Sequence, residues 1–174
     1  PEDVRWFEAD PTFVLHFTNA YEDGDEIVLD GFFEEDPAPV DSLTGDKWQK
    51  AFRFLALDRL QTRLHRWRFD LVTGATREER LTDSVTEFGM INPTHAGSGY
   101  RYVYAASGKP GWFLFDALVR HDLETGSEER FAYGEGVFGS ETAMAPRTGS
   151  TGEDDGYLIT LTTDMNADAS YCLV

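Results

Sequence analysis

Apolar and polar residues alternate along most of this chain, and the alternation predicts short β-strands. Thr62 to Leu71 sets Leu64, Arg66 and Arg68 on one side and Arg63, His65, Trp67 and Phe69 on the other. Thr73-Gly74 reads as a turn, and Thr76 to Leu81 as the returning strand. Val85 to Ile91 follows, ended by Asn92-Pro93. Tyr100 to Ala106 and Trp112 to His121 come next, joined by Ser107-Gly108-Lys109-Pro110-Gly111. Glu128 to Tyr133, Val137 to Ala143, Tyr157 to Thr163 and Ala169 to Val174 complete the series. Nearer the start, Phe13 to Glu22 reads as a largely buried strand running into the turn Asp23-Gly24-Asp25, with Glu26 to Asp30 as its hairpin partner. Arg5-Trp6-Phe7-Glu8 is a further short strand candidate. One stretch departs from this period. Asp46 to Leu60 places Trp48, Phe52, Leu55 and Arg59 at helical spacing, so a helical insertion is expected at about 45–60, after an acidic, Pro-rich loop at Glu34 to Pro39. Lys47, Lys50 and Arg53 give that helix a basic, solvated face.

Strands this short, punctuated by turns, build sandwiches, barrels or propellers. An internal repeat decides among them. Asp70-Leu71-Val72-Thr73-Gly74 with Glu78-Glu79-Arg80 matches Asp122-Leu123-Glu124-Thr125-Gly126 with Glu128-Glu129-Arg130. The offset is 52 residues before the turn and 50 after it. Thr86-Glu87 parallels Ser140-Glu141, and Tyr100 to Ala106 parallels Tyr157 to Thr163. A period of about fifty residues with four strands per unit describes a propeller blade. The expected fold is therefore all-β, part of a β-propeller of four-stranded antiparallel blades. Residues 1–174 form a single partial domain of about three blades. Because a ring closes with roughly 4–8 blades, the remaining blades come from the rest of the protein.

Composition narrows the partners. A net charge of −17 argues against a nucleic-acid partner, because phosphate backbones recruit Lys and Arg. It likewise argues against docking on an anionic membrane through overall charge, leaving membrane contact to parts outside this chain. The one cysteine, Cys172, has no internal partner for a disulfide, and the acidic start Pro1-Glu2-Asp3-Val4 shows no signal peptide, so a cytoplasmic location is expected.

The candidate chemistry begins at His16, an imidazole inside an apolar run. Neutral imidazole ligates iron, copper and zinc; a core histidine bonded to a backbone carbonyl is the other reading. The repeat sets Glu87 and Glu141 at the same point of successive blades. On innermost strands, both carboxylates face the central axis, where His16 also points. Carboxylates so placed accept the N–H of a ligating imidazole and fix its tautomer. No Ser-His-Asp set, P-loop or zinc-type cysteine pattern is present.

The order His16, Asn19, Ala20, Tyr21, Glu22 resembles the carotenoid cleavage oxygenases, the family of carotenoid, apocarotenoid and lignostilbene dioxygenases. Arg5 to Glu8, Thr86 to Pro93 with Tyr100 to Ala105, and Gly139 to Glu141 with Glu153 to Leu158 resemble further family segments in the same order. The resemblance covers nearly the whole chain except the insertion near Asp46. It implies a seven-bladed propeller with a non-heme Fe(2+) on its axis, held by four His and steadied by three Glu. It makes His16 an iron ligand, and Glu87 and Glu141 carboxylates that brace ligating imidazoles. The other three ligands match no residue here. His65, His95 and His121 fit packing or surface positions, so the chain is expected to be inactive alone. The implied activity is addition of O2 across one C=C bond of an apolar polyene or stilbene, giving two carbonyl products. Two alternatives are a propeller interaction module without catalysis and a calcium-dependent propeller hydrolase.

Overall fold

Aspartates build the turns that fold the alternating strands back on themselves. Asp70 Oδ1 accepts the backbone N–H groups of Val72 and Thr73, both at 2.8 Å, and Gly74 N–H donates to the Asp70 carbonyl. Gly74 closes this turn at φ +77°, a conformation open to glycine at little cost. Asp122 repeats the device with the amides of Glu124 and Thr125, and Gly126 closes it at φ +70°. The repeated motif is thus one turn built twice.

The computed structural model describes residues 3–35, 61–109 and 114–174. The expected helix at 45–60 lies outside these residues. Strands β1 (Phe17–Asp23), β2 (Glu26–Glu34), β3 (Thr62–Asp70) and β4 (Thr76–Arg80) form one antiparallel meander. Strands β5 (Thr86–Met90), β6 (Tyr102–Gly108), β7 (Phe115–Asp122) and β8 (Ser127–Ala132) form a second. Strands β9 (Val137–Pro146), β10 (Gly156–Asp164) and β11 (Ala169–Leu173) form a third run, joined to the second by the bridge Phe115↔Gly139. Apart from one short 3-10 helix, the described residues are all-β and antiparallel, in consecutive meanders of the kind that make propeller blades.

The meanders pack face to face, and β6 shows how. Its Val103 and Ala105 enter a cluster with Phe32, Leu64 and Ile91 against the first meander. Its Tyr104, on the opposite face, joins Leu118 and Met144 toward the third. Phe32, Leu64 and Val103 are fully buried, each worth about 1.5–3 kcal/mol of transfer free energy. Both faces of β6 are therefore core. The first strands sit together, with β5 lying against both β1 and β9.

Two strand expectations fail. Arg5 to Glu8 forms no strand; it is tied to the outer strands through side chains. Arg5 Nη1 donates to the Leu71 carbonyl at 2.5 Å, the Phe7 and Phe69 rings lie 5.1 Å apart, and Trp6 is 92% exposed. His16 is likewise not within a strand, because β1 begins at Phe17. Residues 12–16 run alongside β2 with a hydroxyl in place of a ladder: Thr12 Oγ1 donates to the Glu34 carbonyl and accepts from Glu34 N–H. Phe13, Leu15 and Phe17 are exposed, so the run is half-buried and not a buried strand.

Candidate functional site

The site is built where β1 and β5 meet. Phe32 N–H donates to the His16 carbonyl at 3.2 Å, fixing the backbone just ahead of β1. Gly31 makes this approach possible, since a Cβ there would stand 2.9 Å from the Phe17 ring and 3.2 Å from the His16 carbonyl oxygen. A register shift between Phe17 and Asn19 then re-aims the chain. The His16 imidazole ends beside β5, with Nδ1 2.8 Å from Glu87 Oε2.

Glu87 is 1% exposed, and the side chain of His16 is 35% exposed. Burial pushes the Glu87 carboxyl above its usual range. Hydrogen bonds from the Phe88 amide and from His16 oppose that shift. The amide of Phe88 donates to the same oxygen that meets His16, at 2.5 Å, while Glu87 Oε1 is buried without a hydrogen bond. A carboxylate facing Nδ1 selects the tautomer with the proton on Nδ1 and the lone pair on Nε2. Among the described residues, Nε2 makes no hydrogen bond. The Phe88 ring lies against the imidazole with centroids 4.5 Å apart, and meets Phe115 edge-on at 5.4 Å.

This arrangement suits one imidazole ligand of a metal: a braced Nδ1, an open Nε2 and partial access. Among the described residues no group of three or more His, Cys, Asp or Glu could hold a metal ion.

Glu141 is placed differently. It lies on β9, the first strand of its run, as Glu87 lies on β5. In β5, Phe88 and Gly89 stand between the paired residues Glu87 and Met90, opposite Ala105. In β9, Ser140 and Glu141 stand between Gly139 and Thr142, opposite Leu161. The Glu141 side chain is exposed and is brought to neither His16 nor Glu87.

The remaining histidines stand apart. His65 packs against both Phe33 and Trp67, which also meet each other, with Nε2 3.1 Å from Glu78, and burial lowers its pKa. His121 is buried with Nδ1 3.3 Å from Glu128, and burial lowers its pKa too. His95 is in the short 3-10 helix Pro93–His95, its Nδ1 3.2 Å from the Gly99 carbonyl.

Three further residues lie near the pair. Asn19 Nδ2 donates to the carbonyls of His95 and Ser98, and its Oδ1 accepts from Gly97 N–H, pinning the loop after β5 to β1. Tyr21 meets Tyr100 edge-on at 6.2 Å. Phe88 takes a positive φ of 56°, for which no sequence signal exists, since bulky residues rarely adopt it.

Comparison with known proteins gives one consistent answer. The profile of the family described as RPE65, retinal pigment epithelial membrane protein, matches residues 1–174. A carotenoid 9,10(9',10')-cleavage dioxygenase 1 of Pisum sativum is 34% identical over 97% of this chain. An apocarotenoid-15,15'-oxygenase of Synechocystis sp. is 32% identical over 91% of it. The chain spans 32% of each relative's length, about a third. Among solved structures, cobalt-substituted Synechocystis apocarotenoid oxygenase superposes with a TM-score of 0.78 at 27% identity, over 94% of this chain and 34% of that one.

Proposed function

This chain belongs to the RPE65 family, and from that premise we propose that the protein it is part of is a non-heme Fe(2+) dioxygenase. It cleaves a C=C bond of a carotenoid, apocarotenoid or stilbene, and each oxygen of O2 ends in one of two carbonyl products. The observation that carries this reading is the contact between His16 Nδ1 and Glu87, which leaves Nε2 available to a metal. The named activities of the relatives support the substrate class, and the cobalt-substituted neighbour supports a metal centre.

The iron, when bound, supplies the activation of dioxygen, which side chains alone do not provide. His16 contributes one neutral donor. Glu87 holds the Nδ1 proton and sets the ring plane. Phe88, backed edge-on by Phe115, lays apolar surface against the imidazole and keeps water from that flank. The other donors and the remaining blades come from the rest of the protein, as does any membrane contact. Glu141 is free to brace an imidazole supplied from there.

The full-length protein, incubated in air with a carotenoid, an apocarotenal and a hydroxystilbene, should yield aldehydes from at least one of them and should contain iron. His16→Ala should lose both iron and turnover. Iron-free wild-type protein that is active, or a His16→Ala variant with unchanged iron content, would overturn the proposal.

A further inference from the structure

The backbone of Phe88 is the unexplained feature of the site. Among the described residues only Phe88 and Asp168 are non-glycine residues with positive φ, and Asp168 lies in the turn between β10 and β11. Aspartate visits that region readily in turns, but a bulky aromatic residue does so only when its surroundings demand it.

The strand irregularity alone does not demand it. The bulge in β9 opposes two residues to one, as does the bulge in β5, yet neither Ser140 nor Glu141 has positive φ. Nor is glycine missing from the neighbourhood. Gly89 is the next residue, and a Cβ on it would stand 2.7 Å from the Phe32 ring and 2.8 Å from Thr18 Oγ1. The glycine is committed to letting β5 press against β1 and β2. The left-handed conformation is left to its neighbour, Phe88.

The same residue makes a second unusual contact. The Phe88 amide turns back onto the side chain of the preceding residue and donates to Glu87 Oε2, the oxygen 2.8 Å from His16 Nδ1. An N–H in an extended ladder would point across to a neighbouring strand instead. We propose that Phe88 is a positioning residue whose left-handed backbone, and not its ring, locks the Glu87 oxygen that holds His16. Backbone strain of this kind persists where the surrounding structure fixes it, and it gathers at functional sites. The proposal rests on the metal-ligand reading of His16 for its effect on metal, but the lock on the tautomer does not depend on any metal.

The test compares Phe88→Asn with Phe88→Val in the full-length protein. Both remove the ring, but asparagine tolerates positive φ and valine does not. In metal-free protein labelled with 15N-histidine, the His16 shifts of Phe88→Asn should keep the wild-type Nδ1–H tautomer, while those of Phe88→Val should show mixed tautomers. Titration with cobalt(II) should give a dissociation constant for Phe88→Asn about tenfold or more tighter than for Phe88→Val, in line with losses of about 10–100-fold when an imidazole's support is removed. Equal tautomers and equal cobalt affinity in the two variants would overturn the proposal, and if both variants are equally disturbed the role passes to the ring. If Phe88→Val does not fold, Phe88→Leu, which is also poorly suited to positive φ, replaces it in the same comparison. If wild-type protein binds no cobalt, the metal reading fails, and the tautomer comparison still decides the role of Phe88.

Discussion

His16 and Glu87 show what one pair of side chains can and cannot declare. Each is ordinary by type; the contact of 2.8 Å between them, with the carboxylate buried, makes the imidazole directional. Replacing Glu87 with Ala should weaken metal binding about 10–100-fold and release the His16 tautomer, read by metal titration and 15N shifts. Glu141→Ala should leave the His16 tautomer of the metal-free protein unchanged, because Glu141 is exposed and touches neither partner. A shift in the His16 resonances of that variant would count against the geometry described. The pair was legible in the sequence, His16 from its apolar setting and Glu87 from the repeat. What could not be read was the register. Sequence offsets count residues and do not show where a ladder bulges, as between Glu87 and Met90 and between Gly139 and Thr142. Phe88 was out of reach for the same reason, since its φ follows from tertiary pressure and not from local preference.

At the scale of elements, the strands were legible wherever alternation ended in a turn with its own chemistry. From β3 to β11 the expected strands match those observed to within a few residues, since Asp-x-x-Thr-Gly and Asn-Pro mark their ends. The start of β1 was misplaced because an extended chain and a laddered strand share the same alternation, and only the partner distinguishes them. The two Asp turns make a direct comparison. Asp70 is held below the usual carboxylate range by turn amides, while Asp122 is held well below it chiefly by the Arg101 fork, at 2.8 and 2.6 Å, and then by its turn hydrogen bonds. Both pKa values are depressed on folding, so the stability they contribute is present above pH ~4 and is lost as pH falls below it. Asp122→Asn should therefore flatten the acid limb of a stability-against-pH curve more than Asp70→Asn does, measured by denaturant midpoint between about pH 2 and pH 7. Equal flattening would mean that the guanidinium adds nothing to the turn.

Across the whole molecule, polar staples join one meander to the next beside the apolar clusters. Asn92 Nδ2 reaches the Glu153 carbonyl, and Glu153 Oε1 accepts the amides of Arg101 and Tyr102, tying the second meander to the third. Between the first and second, Asp30 is fully buried on β2, takes a two-pronged bond from Arg66 at 2.8 and 2.7 Å, and accepts the hydroxyl of Tyr100. Such a cluster costs desolvation to form, and breaking it leaves a charge without its partner. Asp30→Asn should cost the full-length protein about 3–5 kcal/mol, since the Arg66 guanidinium loses its counter-charge inside the fold. Tyr100→Phe should cost less, about 1.5–3 kcal/mol, because the ion pair survives it. In the Asp30→Asn background, Tyr100→Phe should add little, since its charged acceptor is already gone. The phenol gives an independent sign. Burial first, then the nearby Asp30 charge, raise the Tyr100 pKa well above the usual phenol range. The stability this contributes is complete below pH ~10 and is lost as pH climbs toward the raised value, so Tyr100→Phe should flatten the alkaline limb. Additive costs in the double variant, with an unchanged alkaline limb, would show that Asp30 and Tyr100 act independently and do not form one staple between the two meanders.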